Sequence, residues 1–251
     1  MKLSVCVEAL FNGWDITEGM KAIKEAGVDA FEFWGWWGKD LDEIKRAKEE
    51  SGLELSAFCT RMISLVDSTL REDYIKGLKE TIQVAKDLGC KNLISQVGNE
   101  ISGVSREEQR NSLVEGLKAC RPILEDEGIT LLVEPLNTLV DHKGYYLYSS
   151  AEAFEIIDEV DSPNIKVLFD IYHQQIMEGN LIANITGNID KIGHFHAAGN
   201  PGRHELTIGE INYPNVFKAI SESGYKGYIG LEYSPLEEPV KGLLEVIGFF
   251  E

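Results

Sequence analysis

Apolar and polar positions follow two periods along this chain, and the two alternate. Short runs rich in Val, Ile, Leu and Phe fall at residues 3–7, 30–33, 53–58, 92–95, 130–133, 166–169, 189–195 and 227–231. Runs of that length and composition predict buried strands. Between them lie longer stretches at 16–26, 41–51, 70–88, 105–127, 149–160, 174–185, 213–223 and 235–249, with apolar residues three and four apart. That spacing gathers the apolar side chains into one stripe along a helix. Several helical stretches end at a glycine followed by a strand: Ala26-Gly27-Val28, Leu88-Gly89-Cys90, Glu127-Gly128-Ile129 and Ser223-Gly224-Tyr225. Glycine closes a helix in the left-handed conformation and turns the chain toward the next strand.

Eight strand–helix repeats over 251 residues predict an α/β protein, a (β/α)8 TIM barrel occupying residues 1–251 as one domain. The rival is an open, doubly wound sheet. It is disfavoured by the absence of a G-x-G-x-x-G turn after the first strand and by polar residues recurring at strand after strand. No linker or low-complexity tract divides the chain.

With 24 basic and 42 acidic residues the formal charge is −18, which argues against a nucleic-acid partner, whose phosphates need basic patches. No apolar run has the length of a membrane span, and the N-terminal segment continues into Glu8 with no small-residue cleavage site. The expectation is a cytoplasmic protein without a membrane partner. Cys6, Cys59, Cys90 and Cys120 are widely spaced and form no C-x-x-C pair, so they read as buried thiols and not as disulfides or a zinc knot.

In a barrel the C-terminal strand ends share one mouth. Those ends carry Glu8, Glu32, Arg61, Gln96, Glu134, Asp170, His196 and Glu232. Glu134, Asp170, His196 and Glu232, from the fifth to the eighth strand, form a coherent set. Three carboxylates and an imidazole suit a divalent ion such as Mn²⁺, Mg²⁺ or Co²⁺. Taken singly, each could instead be a strand-end group paired with a neighbouring Lys or Arg.

The segment Ile192 to Glu205 holds three of the chain's five histidines. His194 and His196 are two apart and share a strand face, with His194 one layer deeper. Arg203 and His204 lie on the following loop, where a cation can face an anionic substrate. Glu210 reads as a group that caps or orients this loop. His173, one turn beyond Asp170, either reaches a substrate oxygen or is exposed at a helix start. Trp36 and Trp37, flanked by Gly35 and Gly38, either wall the pocket or form a subunit contact.

The motifs Val133-Glu134-Pro135-Leu136-Asn137, Phe169-Asp170-Ile171-Tyr172-His173, Gly193-His194-Phe195-His196, Asn200-Pro201-Gly202-Arg203-His204-Glu205 and Gly209-Glu210-Ile211-Asn212-Tyr213 resemble the hydroxypyruvate isomerase family. That family is one of the xylose-isomerase-like barrels, alongside ketose 3-epimerases and 2-oxo-tetronate isomerases. The resemblance implies a divalent metal held by Glu134, Asp170, His196 and Glu232, with Glu134 and Glu232 as the catalytic acid–base pair. It also implies substrate contacts from His173 and Arg203, and a homo-oligomer. Several hydroxypyruvate isomerases have glutamine where this chain has His196, a histidine more like the epimerases. The epimerases in turn carry a further glutamate six residues after the first ligand, where this chain has Val140.

The activity so implied is aldose–ketose isomerisation of a small keto-acid or sugar through an enediolate, with hydroxypyruvate converted to tartronate semialdehyde. Arg203 or Arg61 would hold the substrate carboxylate. The rivals are C3 epimerisation of a ketose, isomerisation of a 2-oxo-tetronate and a non-catalytic sugar- or metal-binding barrel. A metal-dependent endonuclease on the same barrel would need more histidine ligands and a basic face.

Overall fold

The computed structural model describes residues 1–249. From the N-terminus the elements are β1 (Lys2–Cys6), α1 (Val7–Leu10), α2 (Ile16–Glu25), β2 (Ala30–Gly35), α3 (Leu41–Ser51), β3 (Glu54–Cys59), α4 (Arg71–Leu88), β4 (Asn92–Ser95) and α5 (Arg106–Glu127). There follow β5 (Thr130–Val133), α6 (Ser150–Val160), β6 (Ile165–Asp170), α7 (Ile171–Met177), α8 (Leu181–Gly187), β7 (Ile192–Ala197), α9 (Tyr213–Glu222), β8 (Tyr228–Leu231) and α10 (Pro239–Ile247). The strands form a closed parallel barrel in chain order, with β8 pairing back onto β1 from Lys2↔Tyr228 to Val5↔Leu231. Closure leaves no sheet edge and directs all eight strand ends to one mouth.

Local chemistry sets the helix limits. Asp15 and Asp40 accept from backbone N–H groups of the first turns of α2 and α3, and Ser105 and Glu108 form a reciprocal capping box at α5. Gly52, Gly89 and Gly128 close α3, α4 and α5 in the left-handed region.

The apolar residues divide into two layers. The larger joins helix stripes to the outer strand face, including Phe31, Phe58, Leu131, Phe169 and Phe195. A second, separate cluster of Ala57, Cys59, Ile94, Leu132 and Leu168 contains only strand residues and fills the interior beside β3 to β6. The rest of the interior is polar: Ser4, Glu32, Ser56, His194 and His196 are all buried. All four cysteines are buried and unpaired.

The predicted helix at 174–185 is two helices, because Gly179 (φ 62°) and Asn180 (φ 48°) are left-handed and turn the chain between α7 and α8. The apolar spacing runs through this break and conceals it. Residues 189–191, expected at the start of the seventh strand, form a single 3-10 turn, and that strand continues through His196 to Ala197. No helix among the described residues is long and apolar enough to cross a membrane.

Candidate active site

The end of β6 shows how the fold positions one site group. Asp170 is the N-cap of α7, and its Oδ1 accepts the His173 backbone N–H at 3.0 Å. That bond fixes the carboxylate and leaves Oδ2 toward the mouth. Glu134 and Glu232 directly follow β5 and β8, and His196 lies on β7. The four side chains can each present one oxygen or nitrogen within 4.8 Å of the others, and all four are buried. His196 Nδ1 lies 3.2 Å from Glu232 and 3.5 Å from Glu134, yet has no hydrogen-bond partner among the described residues.

Buried charge decides the electrostatics here. Burial works against the charged form of Glu232, but Arg203 and His196 outweigh it and hold the carboxyl well below its ordinary range. Burial likewise opposes a charged His196, while Glu232 and Glu32 push its pKa well above that of a free imidazole. Asp170 is raised by burial, with Arg203 countering only in part. Three converging carboxylates, one imidazole and an orphaned Nδ1 among them could hold a divalent cation. A cation there would compete with the His196 proton.

Arg203 closes the cluster on the outer side. Its Nη2 donates to Glu232 Oε2 at 2.5 Å and lies 4.0 Å from Asp170 Oδ2, with the guanidinium over the Tyr172 ring. Its backbone is left-handed (φ 58°), and its carbonyl accepts from Ser234 N–H at 2.8 Å. A non-glycine residue held in that region is a local cost that the surrounding loop must override. Glu210 does tie this loop down, accepting from Asn200 Nδ2 at 2.7 Å and Gln175 Nε2 at 3.1 Å. The other Glu232 oxygen accepts from Trp34 Nε1–H at 2.5 Å.

His173 is fully buried, which removes the reading of a solvent-exposed helix start. Burial, reinforced by Arg203, lowers its pKa to about 3, so the ring is neutral. His194 is the deeper partner expected of it, with Nε2 3.0 Å from Glu32 Oε2. Arg61 stands apart from the cluster: its Nε donates to Glu80 at 2.9 Å and its guanidinium lies over Trp36. Trp36 itself donates to Thr81 of α4, and Trp34, not Trp36 or Trp37, reaches the carboxylates.

Sequence reasoning missed the roles of three residues. Glu32 is within β2 and faces both His194 and His196, Trp34 donates to Glu232, and Asn137 contacts His173. The Glu-Pro-Leu-Asn motif did contain Asn137, but nothing local in it signals a histidine 36 residues away.

Residues 20–250 match the family model described as a xylose isomerase-like TIM barrel. The chain is 34% identical to hydroxypyruvate isomerase of Escherichia coli (strain K12) over 252 aligned residues, covering 97% of each. The chain belongs to the hydroxypyruvate isomerase family. It is 29% identical to 2-oxo-tetronate isomerase of Haemophilus influenzae, covering 96% of each, so both relatives are isomerases. Among solved structures, an AP endonuclease, family 2, from Brucella melitensis superposes with a TM-score of 0.93 at 28% identity over 99% of each chain. Membership of the family makes this chain an enzyme of the isomerase class.

Proposed function

We propose that this isomerase is metal-dependent and interconverts hydroxypyruvate and tartronate semialdehyde, with Glu134 and Glu232 as its acid–base pair. The observation that carries the reading is the buried Glu134–Asp170–His196–Glu232 cluster with the Arg203 guanidinium against its open side. Those four side chains would hold a divalent ion, with Mn²⁺, Mg²⁺ and Co²⁺ the best matches to the donor set. When bound, such an ion polarises the substrate's oxygens and acidifies the C–H between them.

The residues of the chain do the rest. One glutamate of the pair takes a proton from C3 of hydroxypyruvate, leaving an enediolate, and the pair delivers a proton to C2. The hydroxyl proton passes from O3 to O2, so the product is an isomer with nothing gained or lost. Arg203 pairs with the substrate carboxylate, for which a guanidinium is suited, and His173 donates to a substrate oxygen. Burial of the cluster and closure by the Arg203 loop keep bulk water from the enediolate.

A second reading, ketose 3-epimerisation, draws on the histidine at position 196. It lacks its further carboxylate, because Val140 stands in that place with its side chain exposed. The endonuclease named for the Brucella structure fits poorly with a chain of net charge −18. The test is turnover with Mn²⁺ of a panel of hydroxypyruvate, 2-oxo-tetronates and ketoses. Hydroxypyruvate should be converted fastest; conversion of ketoses with no keto-acid turned over rejects the proposal.

A further inference from the structure

The side-chain amide of Asn137 can be oriented in only one way. Its Oδ1 accepts the backbone N–H groups of Val140 and Asp141, each at 3.0 Å, so Nδ2 must face the other side. One Nδ2 hydrogen goes to Asp141 Oδ2 at 2.6 Å, an oxygen that also accepts from the Tyr172 hydroxyl at 2.9 Å. The other goes to His173 Nδ1 at 2.6 Å, and the Asn137 backbone N–H points at the same nitrogen from 3.4 Å. Two donors aimed at Nδ1 require a lone pair there. The single proton of a neutral ring is then on Nε2. Nε2 is buried without a hydrogen-bond partner among the described residues, and Asp170 Oδ2 at 3.6 Å is too distant to serve.

We propose that Asn137 is a positioning residue that locks His173 in the Nε2–H form, so that His173 gives one hydrogen bond to an acceptor oxygen of a bound keto-acid. Asp141 and Tyr172 hold the amide, the amide sets the imidazole, and the imidazole presents a donor and no acceptor. A substrate with an ammonium or amide N–H at that place would meet a second donor and be rejected. The substrate half of this inference rests on the isomerase reading above; the tautomer half does not.

The experiment is long-range ¹H–¹⁵N correlation of the histidine rings in the full-length, metal-free protein at neutral pH, with His173→Gln identifying the His173 signals. The expected pattern is an unprotonated Nδ1 and a protonated Nε2. Asn137→Asp keeps the shape but offers only acceptors, and should move the proton to Nδ1. Asn137→Ala removes the clamp without adding charge and should leave a mixture, which covers the case of an aspartate variant that does not fold. In the variants the KM for hydroxypyruvate should rise roughly tenfold, the worth of one hydrogen bond, with Mn²⁺ affinity unchanged. A proton on Nδ1 in the native protein overturns the proposal, as does a tautomer that neither variant alters. A shifted tautomer with an unchanged KM overturns its substrate half alone, whichever keto-acid is turned over.

Discussion

Glu32 lies 3.5 Å from His196 Nε2, on the far side of the ring from Glu134 and Glu232. Its other oxygen is 3.0 Å from His194 Nε2 and accepts from Ser56 Oγ at 3.2 Å. Burial opposes its charge, but His194 and His196 overcome that and lower its pKa to about 2, so it is an acceptor only. An ionised carboxylate between two imidazoles takes an N–H from His194 and attracts His196 Nε2 by its charge, which leaves His196 Nδ1 toward the cluster. Partners of this kind, behind a histidine ligand, tune metal affinity by about 10- to 100-fold. Glu32→Gln, whose amide can accept from one ring while its NH₂ opposes the other, should therefore weaken Mn²⁺ binding by roughly that factor. Titration calorimetry on protein with an unchanged circular-dichroism spectrum is the measurement; native affinity would rule out the orienting role.

The same pair makes a prediction about a glycine in β8. A Cβ placed on Gly230 would lie 1.9 Å from Glu32 Oε1 and 2.8 Å from His196 Cδ2. Neither group is free to yield, because both are buried and held by neighbours on two sides. Gly230→Ala should cost about 1–3 kcal/mol in urea unfolding, as overpacking does, and should weaken metal binding at the same time. A variant with native stability and affinity would show that the layer is loosely packed.

Much of this arrangement was legible in the chain because it is local. Each strand run and the helix after it, several of them closed by a glycine, could be read within a few residues, and parallel closure then brings Glu134, Asp170, His196 and Glu232 to one mouth without further information. What the pattern could not show was contact across the barrel. Glu32 meets His194 over 162 residues of chain and Trp34 meets Glu232 over 198, and no periodicity encodes either pairing. Arg61 failed in the opposite sense: its strand-end position is as expected, but Glu80 and Trp36 hold its guanidinium away from the carboxylates. The α7–α8 break was hidden because Met177, Leu181 and Ile185 keep a helical spacing through two left-handed residues.

Glutamates in direct acid–base roles lose function when made isosteric but unable to ionise. Glu134→Gln and Glu232→Gln should each reduce kcat on hydroxypyruvate by about 10²- to 10⁴-fold, the usual contribution of a positioned proton-transfer group. Circular dichroism should remain native for both. A binding barrel without catalysis predicts instead that ligand affinity survives Glu134→Gln and that no turnover exists to be lost.

Arg203 should separate binding from chemistry. The proposed charge-assisted contact with a substrate carboxylate would correspond to about 1.5–3 kcal/mol, so Arg203→Gln should raise KM for hydroxypyruvate by roughly 10- to 100-fold. Because the guanidinium also neutralises Glu232, the variant should bind Mn²⁺ no more weakly than the native chain. A fall in metal affinity would place Arg203 in support of the carboxylate cluster and not of the substrate.

His173 predicts a pH effect of definite sign. Its pKa is lowered to about 3 in the fold, from near 6.5 in an unfolded chain. Below pH 6.5 the unfolded chain takes up a proton that the folded one refuses, so the stability from keeping this ring neutral is present above 6.5 and is lost as pH falls toward 3. From pH 7 to pH 5 the loss is about 2 kcal/mol. His196 acts in the opposite direction, since its raised pKa favours the folded state below pH 6.5 and that contribution fades as pH rises. Comparing the native chain with His173→Gln isolates the first effect. In EDTA, the unfolding free energy of the native chain should fall between pH 7 and 5 by about 2 kcal/mol more than that of the variant. Equal slopes would mean that the ring takes up its proton in the fold, and that Asn137 does not keep it neutral.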